Sequence, residues 1–189
     1  MSQKTPNTTK KYISKVSATL EGLPIDNLAQ VVKLLEEARL KAKRVFIFGN
    51  RGSAATASPF ATDLSKGSIS KGKPKIKTFA LTNNIPPLTA WANDTVYENI
   101  FAEQLEYLVE PRDMAIGISG SGNYPNVLNG IKMAKAKRAT TFGFIGFDGG
   151  KLRKLVDIQI MVLSHSMEQV EDIHLLPEHV ITTCLREGA

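Results

Sequence analysis

The chain has 189 residues, of which 42% are hydrophobic, and a formal net charge of +6. This length suits one well-packed α/β domain and is short for two, so we expect a single domain over residues 1–189. No apolar run approaches the roughly 20 residues that cross a bilayer, and residues 1–20 lack the apolar block of a signal peptide. A single cysteine, Cys184, excludes an internal disulfide framework. We therefore predict a cytoplasmic protein with no membrane partner.

The basic excess lies largely in two lysine-rich segments, residues 66–77 and 132–138. Neither segment has aromatic residues between its lysines, which argues against nucleic acid as a partner. A solvated surface is the simplest interpretation. A basic rim that attracts anionic substrates is compatible with it.

Hydrophobic periodicity predicts two helices and then strands that alternate with helices. The predicted helices are 5–20, 25–42, 53–65, 95–109, 126–137, 151–155 and 167–187, and the predicted strands are 44–48, 75–81, 114–118, 140–146 and 157–163. This alternation favours an α/β fold with a five-stranded parallel sheet. We predict the strand order 2-1-3-4-5, which would put the first and third strands side by side. Residues 1–43 form a helical hairpin that need not cover its own sheet and could pack against a second subunit. Residues 44–189 form the core.

Two short polar loops follow the first and third predicted strands, Gly49–Ser53 and Ser119–Asn123. A strand, a Gly/Ser turn and a helix start present free amide groups to an anion. The predicted strand order brings both loops to the switch point of the sheet, where ligands bind. The pattern predicts a phosphate site, with two ordinary N-capped turns as the alternative. Neither loop matches a dinucleotide fingerprint or a P-loop.

Further polar side chains are candidates for chemistry. Asn93 and Asp94 precede a predicted helix. They either contact the sugar, or Asp94 is simply the N-cap of that helix. Asp63 lies on the helix after the first loop, where it either faces the same cleft or is merely exposed. The last helix carries several titratable residues, namely Glu168, Glu171, Asp172, His174, Glu178 and His179. Of these, Glu171, His174 and Glu178 share one face. We expect Pro177 to kink this helix.

These segments together resemble the SIS (sugar isomerase) domain family in its phosphoheptose isomerase branch. The resemblance runs from the first helices to the last and is carried by Phe48–Ala55, Ala80–Thr82, Leu88–Asp94, Glu98–Gln104, Gly117–Val127 and Asp148–Leu152. It implies a homotetramer built on the N-terminal helices. It also implies conversion of sedoheptulose 7-phosphate to D-glycero-D-manno-heptose 7-phosphate, often with zinc at the site.

The resemblance also implies roles for individual residues. Asp63 falls at a catalytic, metal-binding glutamate, His179 at a metal-binding catalytic histidine, and Glu171 at a metal-binding glutamine. The residues expected to bind substrate are Asn50, Arg51, Gly52, Ser53, Asn93, Asp94, Ser119, Gly120, Ser121, Tyr124 and Glu168. Asp63 and His179 would move protons between adjacent carbons through an enediol, with Glu171 assisting.

The chain departs from the family pattern at several positions. Pro59 replaces a metal-ligating histidine and has no side-chain donor, and Asp63 is one methylene shorter than glutamate. Arg51, Gly120 and Tyr124 also differ from the usual residues. The sequence therefore requires no cofactor, although Asp63, Glu171 and His179 are compatible with zinc. Two functions remain open: a phosphosugar isomerase, or a non-catalytic SIS module that binds a phosphosugar or a protein partner in a regulatory role.

Overall fold

The computed structural model describes residues 4–188, which fold around one five-stranded sheet. The strands are β1 Arg44–Gly49, β2 Lys77–Ala80, β3 Met114–Ser119, β4 Thr140–Gly146 and β5 Ile158–Val162. All four neighbouring pairs are parallel, in the order β2-β1-β3-β4-β5. The predicted fold class and strand order are confirmed. Because β1 and β3 are neighbours and point the same way, the loops that follow them lie at one edge of the sheet.

Helices cover both faces of the sheet, and together they are α1 Lys4–Glu21, α2 Ile25–Leu40, α3 Gly52–Thr62, α4 Ile85–Asp94, α5 Ile100–Leu108, α6 Pro125–Ala136 and α7 Met167–Glu187. Alternate residues of β1 point to opposite sides, as the period of a strand requires. Val45 and Ile47 pack with α2, α3 and α7, whereas Phe46 and Phe48 pack with α5 and α6. This double burial explains why β1 has an uninterrupted apolar sequence.

The two N-terminal helices behave differently from each other. Leu35 of α2 has no exposed surface and packs on the sheet, so the second helix covers the core of its own chain. Helix α1 has no buried residue among those described and touches the domain chiefly along α7, where Tyr12 donates a hydrogen bond to Asp172. Helix α1 therefore keeps most of its surface outside the core of this chain.

The predicted helix at 95–109 is wrong at its start. The structure has α4 up to Asp94, a 3₁₀ turn at Tyr97–Asn99, and then α5. Pro86 and Pro87 are typical of a turn, but they occupy the first turn of α4, where a missing amide hydrogen costs no helical bond. Asn93 and Asp94 consequently end a helix instead of preceding one, so Asp94 is not an N-cap.

The remaining boundaries agree with the sequence to within a few residues, with two differences in helical form. The short helix at 151–155 is a 3₁₀ turn, Leu152–Lys154, and α3 ends in a π-helical segment, Asp63–Gly67. Helix α7 runs through Pro177 without a break, because Ile173 and Ile181 on either side are packed in the core. Within residues 4–188, no helix is long and apolar enough to cross a membrane.

Candidate active site

The loops after β1 and β3 line one cavity of about 280 Å³ at the sheet edge, together with the start of α7. We call it the switch-point cavity, and its lining residues are Asn50, Arg51, Gly52, Ser53, Gly120, Tyr124, Met167, Glu168 and Glu171. All nine except Met167 were expected at the site from the sequence. The two loops, far apart in the chain, do converge.

The first loop places the start of α3 at this cavity. Gly52 and Ser53 lie in the first helical turn, where amide groups have no intrahelical acceptor, and no side chain in the described chain caps this turn. A Cβ atom at Gly52 would collide with the carboxylate of Glu171, so a larger residue here would displace that carboxylate from its place beside the loop. Arg51 precedes the helix with a φ of 54° and an exposed side chain. The arrangement offers amide donors and one guanidinium to an anion.

The second loop uses its serine hydroxyls internally. The Oγ atom of Ser119, only 1% exposed, accepts a hydrogen bond from the amide of Gly122 at 3.1 Å. The Oγ atom of Ser121 accepts one from the amide of Asn123 at 3.3 Å. Neither serine is among the lining residues of the switch-point cavity. Their direct contact with a phosphate stays a prediction, and the structure shows them shaping the loop.

A pair of asparagines ties the two loops together. Asn50 and Asn126 exchange two amide hydrogen bonds of 2.8 Å, and Tyr97 donates a third bond to Asn50 at 3.2 Å. Asn126 is buried in the first turn of α6. Sequence reasoning missed both Asn126 and Tyr97, since only the folded chain brings them to Asn50. The amide of Asn50 is thus occupied in holding the first loop in place.

Asn93 and Asp94 are not brought to the switch-point cavity. They are exposed at the end of α4, where Asn93 donates a hydrogen bond to Asp94 at 2.9 Å. Helix α4 instead presents Leu88, Thr89 and Ala92 to a smaller hollow of about 220 Å³ that adjoins Asn50 and Arg51. Substrate contact by Asn93 and Asp94 stays a prediction.

A second group of titratable side chains lies where α3 meets α7. We call Asp63, Glu178 and His179 the acid–histidine cluster. The Nε2 atom of His179 is 3.6 Å from Oδ2 of Asp63 and 3.8 Å from Oε1 of Glu178. Burial raises the pKa of Glu178 to about 8, with a further contribution from the charge of Asp63. The predicted pairing of Asp63 with His179 is present, and the sequence did not assign Glu178 to it.

Glu171 and Glu168 lie away from this cluster, at the switch-point cavity. Glu171 is two helical turns before His179 on α7, about 12 Å along the axis. Glu168 accepts a hydrogen bond from the hydroxyl of Ser166 at 2.6 Å, which lowers the pKa of its carboxyl. The three predicted metal ligands therefore divide between two places in this structure: Asp63 and His179 in one, Glu171 in the other.

His174 is buried beneath the site, with its ring edge-on to Phe144 at a centroid distance of 5.8 Å and 2% of its surface exposed. Burial lowers its pKa to about 4, against a smaller opposing effect from the backbone at Ile145. The ring is neutral at physiological pH. A structural role explains this histidine, as the sequence allowed.

We expect His174 to make the protein acid-sensitive. Between pH 6.5 and about 4 the unfolded chain binds a proton at this residue and the folded chain does not. Above pH 6.5 this difference costs the folded protein nothing. As the pH drops, the free energy of unfolding falls, by about 3 kcal/mol in total. Urea unfolding of the wild type and His174→Asn between pH 4 and 7.5 measures it. The variant should show the shallower pH dependence, and parallel curves would contradict the assignment.

Comparisons with known proteins place this chain in a family. The SIS domain profile matches residues 11–146. The probable phosphoheptose isomerase of Thermoplasma acidophilum is 34% identical over 178 residues, 94% of this chain and 97% of that protein. A phosphoheptose isomerase of Helicobacter pylori is 38% identical over 167 residues, 88% of this chain and 86% of that protein. The solved phosphoheptose isomerase of Neisseria gonorrhoeae has a TM-score of 0.88 at 25% identity, covering 97% of each chain. This chain belongs to the SIS domain family, in the phosphoheptose isomerase branch that its motifs predicted.

Proposed function

We propose that this protein is an aldose–ketose isomerase that acts on sedoheptulose 7-phosphate. The observation that carries the proposal is one continuous arrangement along α7. An anion site adjoins Glu171 in the second turn of this helix, beside Gly52 and Ser53, and a carboxylate–imidazole pair lies about two turns after Glu171. That separation, about 12 Å along the helix, is comparable with the length of an open-chain seven-carbon sugar phosphate.

In this arrangement the switch-point cavity holds the phosphate. The amides of Gly52 and Ser53 donate to its oxygens, and the helix dipole of α3 favours its charge. Arg51 adds a guanidinium at the rim of the cavity, and a guanidinium can donate two parallel hydrogen bonds to one phosphate. Tyr124 and Glu168 line the same cavity and face the sugar.

The proton transfers belong to Asp63 and His179. A carboxylate removes the proton from C1 of the ketose, an enediol forms, and a proton returns to C2, while the carbonyl oxygen gains and the C1 hydroxyl loses a proton. A carboxylate and an imidazole 3.6 Å apart can divide these transfers between them. Glu171, beside Gly52, assists by binding a sugar hydroxyl.

Zinc fits this site as a cofactor, and we include it in the proposal. Asp63 and His179 would hold the ion, and the buried carboxyl of Glu178 beside them has no hydrogen-bond partner among the described residues. A bound zinc ion would polarise the substrate carbonyl as a Lewis acid. Pro59 offers no ligand, and Glu171 lies at the other end of the site.

Assembly into a homotetramer is part of the proposal. It is supported by α1, which has no buried residue, and by an apolar groove of about 410 Å³ along α2 and α7. Exposed apolar side chains line this groove, among them Ile25, Leu40 and Val180. Sedimentation equilibrium of the full chain measures the assembly state. A cytoplasmic location, supported by the single free Cys184, is proposed as well.

The deciding experiment measures turnover and binding separately. Sedoheptulose 7-phosphate is supplied to protein stripped with EDTA and to protein reloaded with Zn²⁺, while calorimetry follows binding. Turnover supports the isomerase. Binding without turnover supports the regulatory SIS module instead, which Pro59 and the shortened acid at Asp63 favour.

A Gly52→Ala substitution should weaken substrate binding. Its Cβ collides with the Glu171 carboxylate and displaces either the anion site or Glu171. We expect KM for sedoheptulose 7-phosphate to rise about tenfold, equivalent to about 1.4 kcal/mol, with a smaller change in kcat. Gly22→Ala is the control, because its Cβ meets nothing closer than a backbone oxygen at 3.5 Å. An unchanged KM would remove this loop from the phosphate site.

A further inference from the structure

The first loop of the site contains a strained residue. Arg51 has a φ of 54° and a ψ of −122°, a conformation that residues other than glycine rarely adopt. Strain of this kind persists only where the surrounding structure holds the backbone in place. The side chain of Arg51 supplies no such hold, because it is exposed and makes no hydrogen bond with the described residues. The hold must come from the residues around it.

Asn50, the residue before Arg51, is held by three side-chain hydrogen bonds. Its Nδ2 atom donates to Oδ1 of Asn126, and its Oδ1 atom accepts from Nδ2 of Asn126, both at 2.8 Å. The hydroxyl of Tyr97 donates to the same Oδ1 atom of Asn50 at 3.2 Å. Asn126 is itself fixed, since it is 2% exposed and its Oδ1 atom also accepts the amide hydrogen of Val127 at 2.9 Å. Both lone pairs of the Asn50 carbonyl oxygen are therefore in use, which fixes the orientation of the amide.

Tyr97 differs from Asn126 because the core does not depend on it. It lies in the 3₁₀ turn between α4 and α5 and is 57% exposed, so its ring buries little apolar surface. The turn has a separate tie to α6, where Asn129 donates a hydrogen bond to the carbonyl oxygen of Glu98 at 3.1 Å. The contact of the Tyr97 hydroxyl therefore serves Asn50 and the first loop more than it serves the turn.

We propose that Tyr97 is a positioning residue that acts through Asn50. It holds the first loop in the conformation that presents Arg51 and the amides of Gly52 and Ser53 to the phosphate. Tyr97 is not among the lining residues of the switch-point cavity, so its effect on the phosphate is indirect. The proposal rests on the proposed function, because the phosphate belongs to the substrate assigned there. The phosphate is held alike in the ground state and the transition state, so loss of the hydroxyl should raise KM and leave kcat unchanged.

The test compares Tyr97→Phe with the wild type in steady-state kinetics with sedoheptulose 7-phosphate, and calorimetry measures the Kd of the same compound. One neutral hydrogen bond is lost, so we expect KM and Kd to rise about three- to tenfold, with kcat within about twofold of the wild type. The Tm should not change, because the hydroxyl lies at the surface. Tyr107→Phe is the matched control, since Tyr107 on α5 is 59% exposed and its hydroxyl makes no hydrogen bond with the described residues. This control should keep wild-type constants.

A double-mutant cycle shows whether Tyr97 acts through Asn50. In an Asn50→Ala background the acceptor of the Tyr97 hydroxyl is gone, so Tyr97→Phe should change KM by less than about twofold. If Asn50→Ala does not fold, Asn50→Ser replaces it, because serine also lacks the carbonyl oxygen. The proposal would be overturned by a full three- to tenfold effect in that background, or by unchanged KM and Kd in Tyr97→Phe alone.

Binding and turnover are measured separately so that two failures can be told apart. A wild type that binds sedoheptulose 7-phosphate without turnover refutes the isomerase, and the change of Kd in Tyr97→Phe then decides the role of Tyr97. A wild type that binds neither this compound nor inorganic phosphate refutes both proposals.

Discussion

An Asp63→Asn variant should lose about 10²–10⁴-fold in kcat for sedoheptulose 7-phosphate, the contribution typical of one acid–base group. The amide of asparagine cannot accept the proton that the carboxylate takes. KM should change little, because Asp63 is not part of the switch-point cavity where the phosphate binds. Steady-state kinetics at saturating Zn²⁺ measures both constants, so that weaker metal binding does not mask the proton-transfer effect.

The conservative variant gives a second readout. Asp63→Glu restores a carboxylate with the longer side chain that the family uses, and we expect at least a tenth of the wild-type kcat. Glu106→Gln, on the opposite side of the sheet, is the charge-matched control and should keep wild-type kinetics. If Asp63→Asn keeps kcat within about threefold of the wild type, Asp63 is not the group that moves the proton.

A Gly122→Ala substitution should destabilise the protein by about 3 kcal/mol or more, because it combines backbone strain with steric overlap. Gly122 has a φ of 66°, and a Cβ there would overlap the backbone carbonyl of Gly149. That carbonyl cannot move freely, since Gly122 also accepts a hydrogen bond from the amide of Leu152 at 2.9 Å. Urea unfolding at neutral pH measures the loss.

Gly72→Ala separates conformational strain from steric overlap. Gly72 has a φ of 81°, similar to that of Gly122, but nothing lies within 4 Å of its Cβ position. Its substitution should cost only the left-handed penalty of about 1–2 kcal/mol. Equal losses of unfolding free energy in the two variants would show that overlap with the carbonyl of Gly149 adds nothing to the cost at Gly122.

The central strands were predictable because a short, uninterrupted apolar run is typical of a strand that is buried on both faces of a sheet. Val45–Phe48 is apolar at every position, is bounded by a glycine, and is buried on both faces. Helix α4 was not predictable in the same way. Pro86 and Pro87 are compatible with a turn and with a first helical turn, and only the packing of Leu88 and Ala92 on α5 and its neighbours selects the helix.

The two polar loops of the site were predictable because the loops that follow neighbouring parallel strands lie at the same edge of the sheet. The acid–histidine cluster was not. Glu178 and His179 are consecutive on α7, and side chains at adjacent helical positions diverge by about 100°. Periodicity placed Glu178 on one face with Glu171 and His174, and it did not place His179 there. Their convergence depends on where Asp63, at the end of α3, meets α7.

Local patterns in this chain thus specify the α/β class, the strands and the two polar loops, since apolar periodicity and glycine turns act within a few residues of one another. The partners of Asp63, the pairing of Asn50 with Asn126, and the isolation of Glu171 from the cluster depend on contacts between segments more than 70 residues apart. Such contacts follow from how α3, α6 and α7 pack on the sheet, and no short-range pattern encodes that packing.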